Sequence, residues 1–285
     1  MDLLQLVKAI ILGIVEGFTE FLPISSTGHL IVIEDLLRFR LATRDVFLIA
    51  IQAGAILAVC WEYRARLIAL ATGLASNPRE QRLALNVVIA FLPAGVAGVI
   101  FKDTIESALF NPLTVAVALV VGGIIILLVE RRHKRLYGAR DLQGGRLARV
   151  ETIDDIRPLD ALKIGLAQCA ALIPGTSRSG ATIIGGILFG FSRKAATEFS
   201  FFLAIPTVIG ATVYSLYRAR HHLSMAELPY YAAGFIASFV AALVCVRWLL
   251  RYLANNDFVI FGWYRIIFGG LILLTAYTGL VNWAD

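Results

Sequence analysis

Two short polar segments in an otherwise apolar chain contain the residue types that could do chemistry. The first, from Gly13 to His29, holds two glutamates, several hydroxyl side chains and a histidine. The second, from Gly165 to Thr182, holds one arginine between hydroxyl side chains. Such polar groups are costly in an apolar chain unless they act together. We therefore expect the function to lie in this pair of segments.

The first segment offers a pair of carboxylates. Glu16 and Glu20 are four residues apart, so a helix places them on the same face. Two close carboxylates repel each other, and a divalent cation relieves that repulsion; oxygen ligands suit Mg²⁺ or Ca²⁺. The alternatives are one neutral glutamate beside a hydrogen-bonded one, or a proton relay. We predict that both residues bind metal or take part in catalysis.

Hydroxyl residues follow these carboxylates at a predicted chain break. Ser25, Ser26 and Thr27 come after Pro23 and open a helix, whose free N–H groups and dipole favour an anion. Serine and threonine are also ordinary helix caps. His29 adds a group able to shuttle protons or attack phosphorus. Its alternative role is that of a hydrogen-bonded packing residue.

The second segment repeats this design with an arginine at its centre. Arg178 follows Pro174 and Gly175 and carries a permanent charge on a planar fork that matches phosphate oxygens. The alternative is a structural ion pair with Glu16 or Glu20, which still leaves room for a phosphate. The predicted phosphate-binding residues are Ser25, Thr27, Ser177, Arg178, Ser179 and Thr182.

Taken together, these groups predict phosphoryl transfer. Paired carboxylates, an arginine, two helix starts and a nucleophile candidate provide positioning and charge neutralisation, on which that chemistry depends. Their placement in apolar sequence indicates an amphiphilic substrate with a lipid tail and a phosphorylated head. Arg265, in the last apolar stretch, is expected to snorkel or to cap a carbonyl rather than to join the site.

The chain that must position these groups is too apolar for an ordinary soluble domain. It has 285 residues, of which 59% are hydrophobic and 16% charged. Its net charge of +6 is concentrated between apolar stretches, as in membrane proteins, and no zinc spacing or basic-aromatic repeat suggests nucleic acid. The sequence predicts an all-α polytopic membrane protein. The predicted spans are Val46–Trp61, Leu83–Phe101, Leu113–Val129, Phe199–Tyr217, Tyr230–Val246 and Phe258–Leu280.

The two halves of the chain resemble each other. Gly13, Glu16 and Ser25 align with Gly165, Gln168 and Ser177 at a constant offset. We predict one membrane domain, 1–285, with repeats at approximately 1–130 and 158–285 joined by a basic loop, 131–157. Three spans per half require the second copy to enter from the opposite side, which is an inverted repeat. The distribution of basic residues predicts that both termini lie outside.

Neither polar segment fits a full span. Each has a short apolar run, a proline-containing break and a second apolar run. We predict two re-entrant helix-break-helix hairpins, because irregular backbone at membrane depth is tolerated only when it is buried in protein or lines a wet cavity. Since the halves are inverted, the two broken tips can meet near the middle of the membrane.

The segment Glu16–His29 resembles the first signature of the undecaprenyl-diphosphate phosphatases, also called bacitracin-resistance proteins, and Pro174–Thr182 resembles the second. The resemblance covers essentially the whole chain, including Phe199–Pro206 and the tail beginning at Tyr264. It implies an inner-membrane hydrolase that converts undecaprenyl diphosphate to undecaprenyl phosphate and inorganic phosphate. That reaction would recycle the carrier lipid for cell-wall synthesis and reduce bacitracin sensitivity. A divalent metal and a site open to the periplasm are further implications.

The resemblance also implies roles for individual residues. We expect Ser26 to attack phosphorus with His29 as its base. Which of these two residues is the nucleophile stays open. Glu16 and Glu20 would bind metal or transfer protons, and Arg178 would stabilise phosphate; Ser177 and Thr182 match the same arginine motif. The rival hypothesis is a transporter that flips polyprenyl phosphate lipids. The oligomeric state is open, with a homodimer among the alternatives, and no nucleic-acid partner is expected.

Overall fold

Eleven α-helices form most of the regular structure in the described part of the chain. A computed structural model describes the backbone of residues 2–109, 111–141, 148–219 and 225–278, without the side chains of 102–104, 106–108, 138–141 and 218–219. The helices are α1 Leu3–Thr19, α2 Ser26–Leu37, α3 Arg44–Glu62, α4 Arg64–Gly73, α5 Pro78–Leu109, α6 Pro112–Asp141, α7 Pro158–Gln168, α8 Arg178–Leu188, α9 Arg193–Ala219, α10 Leu228–Tyr252 and α11 Val259–Thr278.

Six of these helices are long and apolar enough to cross a membrane: α3, α5, α6, α9, α10 and α11. Each coincides with a predicted span, although the last two residues of the span predicted to end at Leu280 lie outside the described residues. The protein is therefore an all-α, multi-pass membrane protein, as predicted.

The first polar segment forms a hairpin that begins and ends at the same end of the molecule. Hairpin 1 consists of α1, a break at 20–25, and α2. The backbone N–H of Asp2 donates to the Tyr230 hydroxyl at 2.8 Å, and Lys8 Nζ donates to the Arg38 carbonyl at 3.3 Å. The first half of α1, the end of α2 and the start of α10 therefore lie together, at what we call the first end.

The second polar segment forms a matching hairpin at the opposite, second end. Hairpin 2 consists of α7, a 3₁₀ turn at Cys169–Leu172, a break at 173–177, and α8. The loop before α7 bonds both arms, since Arg149 pairs with Asp160 of α7 at 2.7 Å and donates to the Phe189 carbonyl just after α8 at 3.0 Å. These opposite directions are what an inverted repeat requires. The repeat itself, and the depth of the hairpins in a bilayer, stay predictions.

Equivalent glycines let each hairpin pack tightly against a long helix. A Cβ at Gly13 would lie 2.3 Å from the Gly234 carbonyl oxygen of α10. A Cβ at Gly165 would lie 2.5 Å from the Ala90 carbonyl oxygen of α5. Small residues permit this close approach in membrane helices. The first arm of each hairpin is thus held backbone-to-backbone against a spanning helix.

The segment that joins the halves is more ordered than the predicted loop 131–157. Helix α6 continues to Asp141, so the first part of that segment is helical; 142–147 lie outside the described residues. Beyond them, Asp154 accepts hydrogen bonds from Arg79 and Arg66, which lower the pKa of its carboxyl. Basic side chains at the second end are therefore partly used in ion pairs that fasten this segment to α4 and α5.

Candidate functional site

The two broken tips meet. Leu22, in the break of hairpin 1, accepts hydrogen bonds through its carbonyl oxygen from Ser179 Oγ at 2.8 Å and Ser177 Oγ at 3.5 Å. Helix breaks leave backbone groups without helical partners, and these side chains satisfy one of them. The prediction that the tips come together is confirmed within the structure.

Each tip opens its second helix with a serine in a left-handed conformation. Ser25 and Ser177 both have φ of 71°, which is unfavourable for a residue with a Cβ. Each caps the helix that follows, accepting through Oγ from Gly28 N at 3.4 Å and from Gly180 N at 3.0 Å. The two tips therefore present their next residues, Ser26 and Arg178, in the same way.

Ser26 and Arg178 converge on one carboxylate, that of Glu20. Ser26 Oγ donates to Glu20 Oε2 at 2.7 Å, and Arg178 Nη2 donates to Glu20 Oε1 at 3.2 Å. The side chains of Arg178 and Glu20 are 11% and 10% exposed, so the centre is enclosed without being sealed. The ion pair foreseen between Arg178 and a glutamate is confirmed, with Glu20 as the partner.

Arg178 keeps donor capacity beyond that pair. Nη1 donates to the Ser200 carbonyl at 3.2 Å, and the guanidinium lies 6.0 Å from the centre of the Phe21 ring. Among the described residues, Nε has no hydrogen-bond partner although it is buried. The guanidinium is therefore held in place from one side while retaining an N–H group for a ligand.

Glu16 is a fully buried acidic residue. It is 0% exposed, and neither carboxylate oxygen has a hydrogen-bond partner among the described residues. Burying such a group without compensation is costly. A divalent cation would supply the missing partner for Glu16, so the residues fit the predicted Mg²⁺ or Ca²⁺.

The described residues contain no group of three or more His, Cys, Asp or Glu side chains arranged to hold a metal ion. A cation at Glu16 and Glu20 would therefore take its remaining ligands from water and substrate. Mg²⁺ commonly binds in this manner, through one or two carboxylates together with substrate phosphates.

His29 does not contact Ser26 in the way its predicted role requires. Its Nδ1 lies 2.7 Å from the Ser25 carbonyl oxygen and its Nε2 lies 2.5 Å from the Tyr264 hydroxyl. A carbonyl only accepts, so Nδ1 carries the hydrogen and Nε2 accepts from Tyr264. The ring also stacks on Phe268 at 4.2 Å. In the structure the hydroxyl of Ser26 donates to Glu20 instead, and the role of His29 as its base stays a prediction.

Several residues that were predicted to bind phosphate are buried and form hydrogen bonds to other parts of the protein. Ser179 is 0% exposed and bonds the tip of hairpin 1, while Thr182 is 1% exposed and bonds its own helix at Arg178 O, at 2.9 Å. Thr182 Oγ1 also lies 2.6 Å from Ser200 Oγ. Thr27, in the first turn of α2, is half-buried. The side chain of Ser179 therefore links the two tips, and that of Thr182 supports the first turn of α8, which begins at Arg178.

Two site residues were not singled out from the sequence: Ser200, which supports Arg178, and Tyr264, which bonds His29. Both lie in the segments that extend the family resemblance, which is the one signal that could have found them. Arg265 does cap carbonyls, as expected, and it caps those of both tips.

Comparison with known proteins gives full-length matches. The family described as "Bacitracin resistance protein BacA" matches residues 9–271. The chain is similar to the "Undecaprenyl-diphosphatase" of Methylibium petroleiphilum, with 61% identity over 285 residues, and to that of Janthinobacterium sp. (strain Marseille), with 58% over 285 residues. It is also 56% identical to the "Undecaprenyl-diphosphatase 1" of Paraburkholderia xenovorans. In all three, the match covers 100% of both chains.

Proposed function

The chain belongs to the BacA family of bacitracin resistance proteins, and from this premise we propose that it is an undecaprenyl-diphosphatase. It removes the terminal phosphate of undecaprenyl diphosphate and leaves undecaprenyl phosphate, the carrier lipid reused in cell-wall synthesis. The observation that carries this proposal is the convergence of Ser26 and Arg178, one from each hairpin, on the carboxylate of Glu20.

The contacts suggest the first half of the reaction. Ser26 Oγ attacks the terminal phosphorus, and a new Oγ–P bond forms as the bond from phosphorus to the bridging oxygen breaks. Glu20 Oε2, 2.7 Å from Oγ, takes the hydroxyl proton as general base. Undecaprenyl phosphate is the leaving group. Arg178 stabilises the charge on the phosphoryl oxygens, which is where positioned cations contribute most to this chemistry.

The second half returns the enzyme to its starting state. Water attacks the phosphorus of the phosphoserine, the Oγ–P bond breaks, and inorganic phosphate leaves. The proton held by Glu20 returns to Ser26 Oγ, while the proton lost by the attacking water remains on the released phosphate. His29, bonded at both ring nitrogens, holds the Ser25 carbonyl and thereby the first turn of α2.

Glu16 and Glu20 are the residues that would hold a divalent cation. When bound, the cation neutralises charge on the diphosphate and on the two carboxylates. The buried oxygens of Glu16, which have no hydrogen-bond partner among the described residues, support this assignment. Residues of this chain carry the proton transfer and the binding of the phosphoryl group.

We place the protein in the bacterial inner membrane with the first end, and the opening to the site, facing the periplasm. The concentration of basic residues at the second end supports this orientation. In a variant without Cys60, Cys169 and Cys245, a membrane-impermeant maleimide should label Asp45→Cys at the first end in intact cells. Asn255→Cys, exposed at the second end, should stay unlabelled. The reverse pattern would overturn the orientation.

Phosphate release from undecaprenyl diphosphate by purified protein with Mg²⁺ or Ca²⁺ tests the activity. Glu20→Gln should lower kcat by about 10²–10⁴-fold, the usual contribution of a general base. Glu130→Gln is the control, since Glu130 is even more buried (0% exposed, against 10% for the Glu20 side chain) but pairs with Arg193 at the second end. It should retain its activity per folded molecule. If the wild type releases no phosphate, the proposal is contradicted.

A second candidate function is flipping of polyprenyl phosphate lipids. The observation that favours it is the pair of hairpins that reach the tips from opposite ends, an arrangement typical of transporters. Head-group movement across vesicles without phosphate release would support this alternative over hydrolysis.

A further inference from the structure

Arg265 is the most completely bonded side chain near the site. It lies in α11, is 1% exposed, and donates five hydrogen bonds, all to backbone carbonyls. The acceptors are Leu119 O at 3.2 Å, Pro23 O at 3.1 Å, Thr176 O at 2.9 Å, Ala118 O at 3.0 Å and Gly175 O at 3.0 Å.

These carbonyls belong to three separate parts of the fold. Pro23 is in the break of hairpin 1, Gly175 and Thr176 are in the break of hairpin 2, and the other two acceptors are in α6. Carbonyls in a break lack helical partners and need another donor when buried. A single guanidinium therefore satisfies orphan carbonyls from both tips and ties both to the same spanning helix.

The wall of α6 is shaped around this guanidinium. A Cβ at Gly122 would lie 2.3 Å from Arg265 Nη2 and 2.8 Å from Cζ. Because five hydrogen bonds hold the guanidinium, it could move away from an added Cβ only by breaking some of them. Gly122 is thus the position where one added methyl group would displace Arg265 without removing its charge.

We infer that Arg265 is a positioning residue that sets the spacing between the two catalytic tips. Pro23 comes three residues before Ser26, and Thr176 comes two residues before Arg178, so a shift of the guanidinium moves the nucleophile relative to the phosphate-binding arginine. Only a guanidinium offers five donors in a fixed fork; a lysine offers three on a flexible stem. This inference rests on the proposed function for its consequence in catalysis.

Two variants and a matched control test the effect on catalysis. Arg265→Lys and Gly122→Ala should each lower kcat by about 100-fold, as expected when reacting groups are misplaced by about 1 Å, while KM changes less than about threefold. The control is Gly270→Ala, since a Cβ there meets no atom within 4 Å. It should keep wild-type kcat and KM. Wild-type kcat in folded Gly122→Ala would overturn the inference, even if Arg265→Lys fails to fold.

A measurement independent of activity separates this inference from the proposed function. Hydrogen–deuterium exchange in detergent follows the peptides that contain residues 23–28 and those that contain residues 175–180. Both sets of peptides should exchange faster in Arg265→Lys and in Gly122→Ala. Neither set should change in Gly270→Ala. Unchanged exchange at both tips in Gly122→Ala, or a change at one tip alone, would contradict the shared anchor. If the wild type releases no phosphate, the proposed function fails while the exchange result still decides the role of Arg265.

Discussion

The tips of the two hairpins have a similar backbone conformation but carry different side chains. Ser25 and Ser177 adopt the same φ and cap their helices through the same pair of atoms. The following position is Ser26 in one tip and Arg178 in the other, and both reach Glu20. Glu20 has Leu172 at its equivalent position, so only one tip supplies the acid.

This difference shows how two tips of similar backbone conformation can form an asymmetric site. Two identical tips would place like groups opposite each other, which suits neither a nucleophile–base pair nor a phosphate. Because hairpin 1 carries the acid and the hydroxyl while hairpin 2 carries the cation, the meeting point holds groups of opposite charge. The similar backbone conformation sets the geometry, and the different side chains at equivalent positions would provide the reactivity of the proposed site.

Removing the cation of hairpin 2 should have the largest effect on activity. Arg178→Gln should lower kcat/KM by about 10³-fold or more, the range seen for arginines that stabilise a phosphoryl transition state. Arg193→Gln is the control, because Arg193 forms its buried ion pair with Glu130 far from the tips. That variant should lose thermal stability but keep activity per folded molecule. Near-normal turnover by Arg178→Gln would remove it from the site.

Substitution of Glu16 in hairpin 1 should affect activity more than substitution of its equivalent in hairpin 2, Gln168. Glu16→Gln should lower activity about 10–100-fold and raise the Mg²⁺ or Ca²⁺ concentration needed for half-maximal rate, as loss of a metal ligand or its support does. Gln168→Leu, at the equivalent buried position, should change activity less than about threefold. Metal titrations of phosphate release check both. An unchanged metal requirement in Glu16→Gln would contradict the assignment.

His29 has Ala181 as its counterpart, so its role is specific to hairpin 1. His29→Gln should lower kcat about tenfold, since it disturbs the Ser25 carbonyl, and should leave the shape of the pH–rate profile unchanged. Tyr264→Phe should give a similar, smaller effect through the same hydrogen bond. Loss of one limb of the profile in His29→Gln would restore His29 as the base.

The smallest effects should come from the shared serines, and they should be alike. Ser25→Gly and Ser177→Gly lose the side-chain cap but relieve the left-handed strain, so each should change Tm by less than about 2 °C. Ser25→Ala and Ser177→Ala lose the cap and keep the strain, so each should lower stability by about 1–2 kcal/mol. Unequal responses within either pair, measured by thermal unfolding in detergent, would show that the tips are not equivalent supports.

The sequence predicted the spans, both hairpins and the meeting of their tips, because apolar run length, proline breaks and buried charge are local signals. It also predicted Glu16, Glu20, Ser26 and Arg178 as site residues, and the structure brings the last three into contact. It did not predict the partner of His29, since Tyr264 lies 235 residues away and contacts at that range depend on packing.

Hydroxyl residues were the least predictable from the sequence. Serine and threonine can cap helices, bond a neighbouring carbonyl or bind phosphate with the same atoms, and the pattern does not distinguish these roles. Ser179 and Thr182, which were predicted to bind phosphate, are buried and hydrogen-bonded within the protein, and their role toward phosphate stays a prediction. The helical continuation of α6 into the predicted loop was missed because charged residues occur equally in exposed helix ends.

A double-mutant cycle on kcat/KM would show whether the two tips act on one phosphate. If Ser26 and Arg178 act through Glu20 on one phosphate, their effects are coupled. Ser26→Ala combined with Arg178→Gln should then lose no more than about tenfold beyond the worse single variant. A loss equal to the product of the two single losses would mean that the tips act independently and would contradict a shared site.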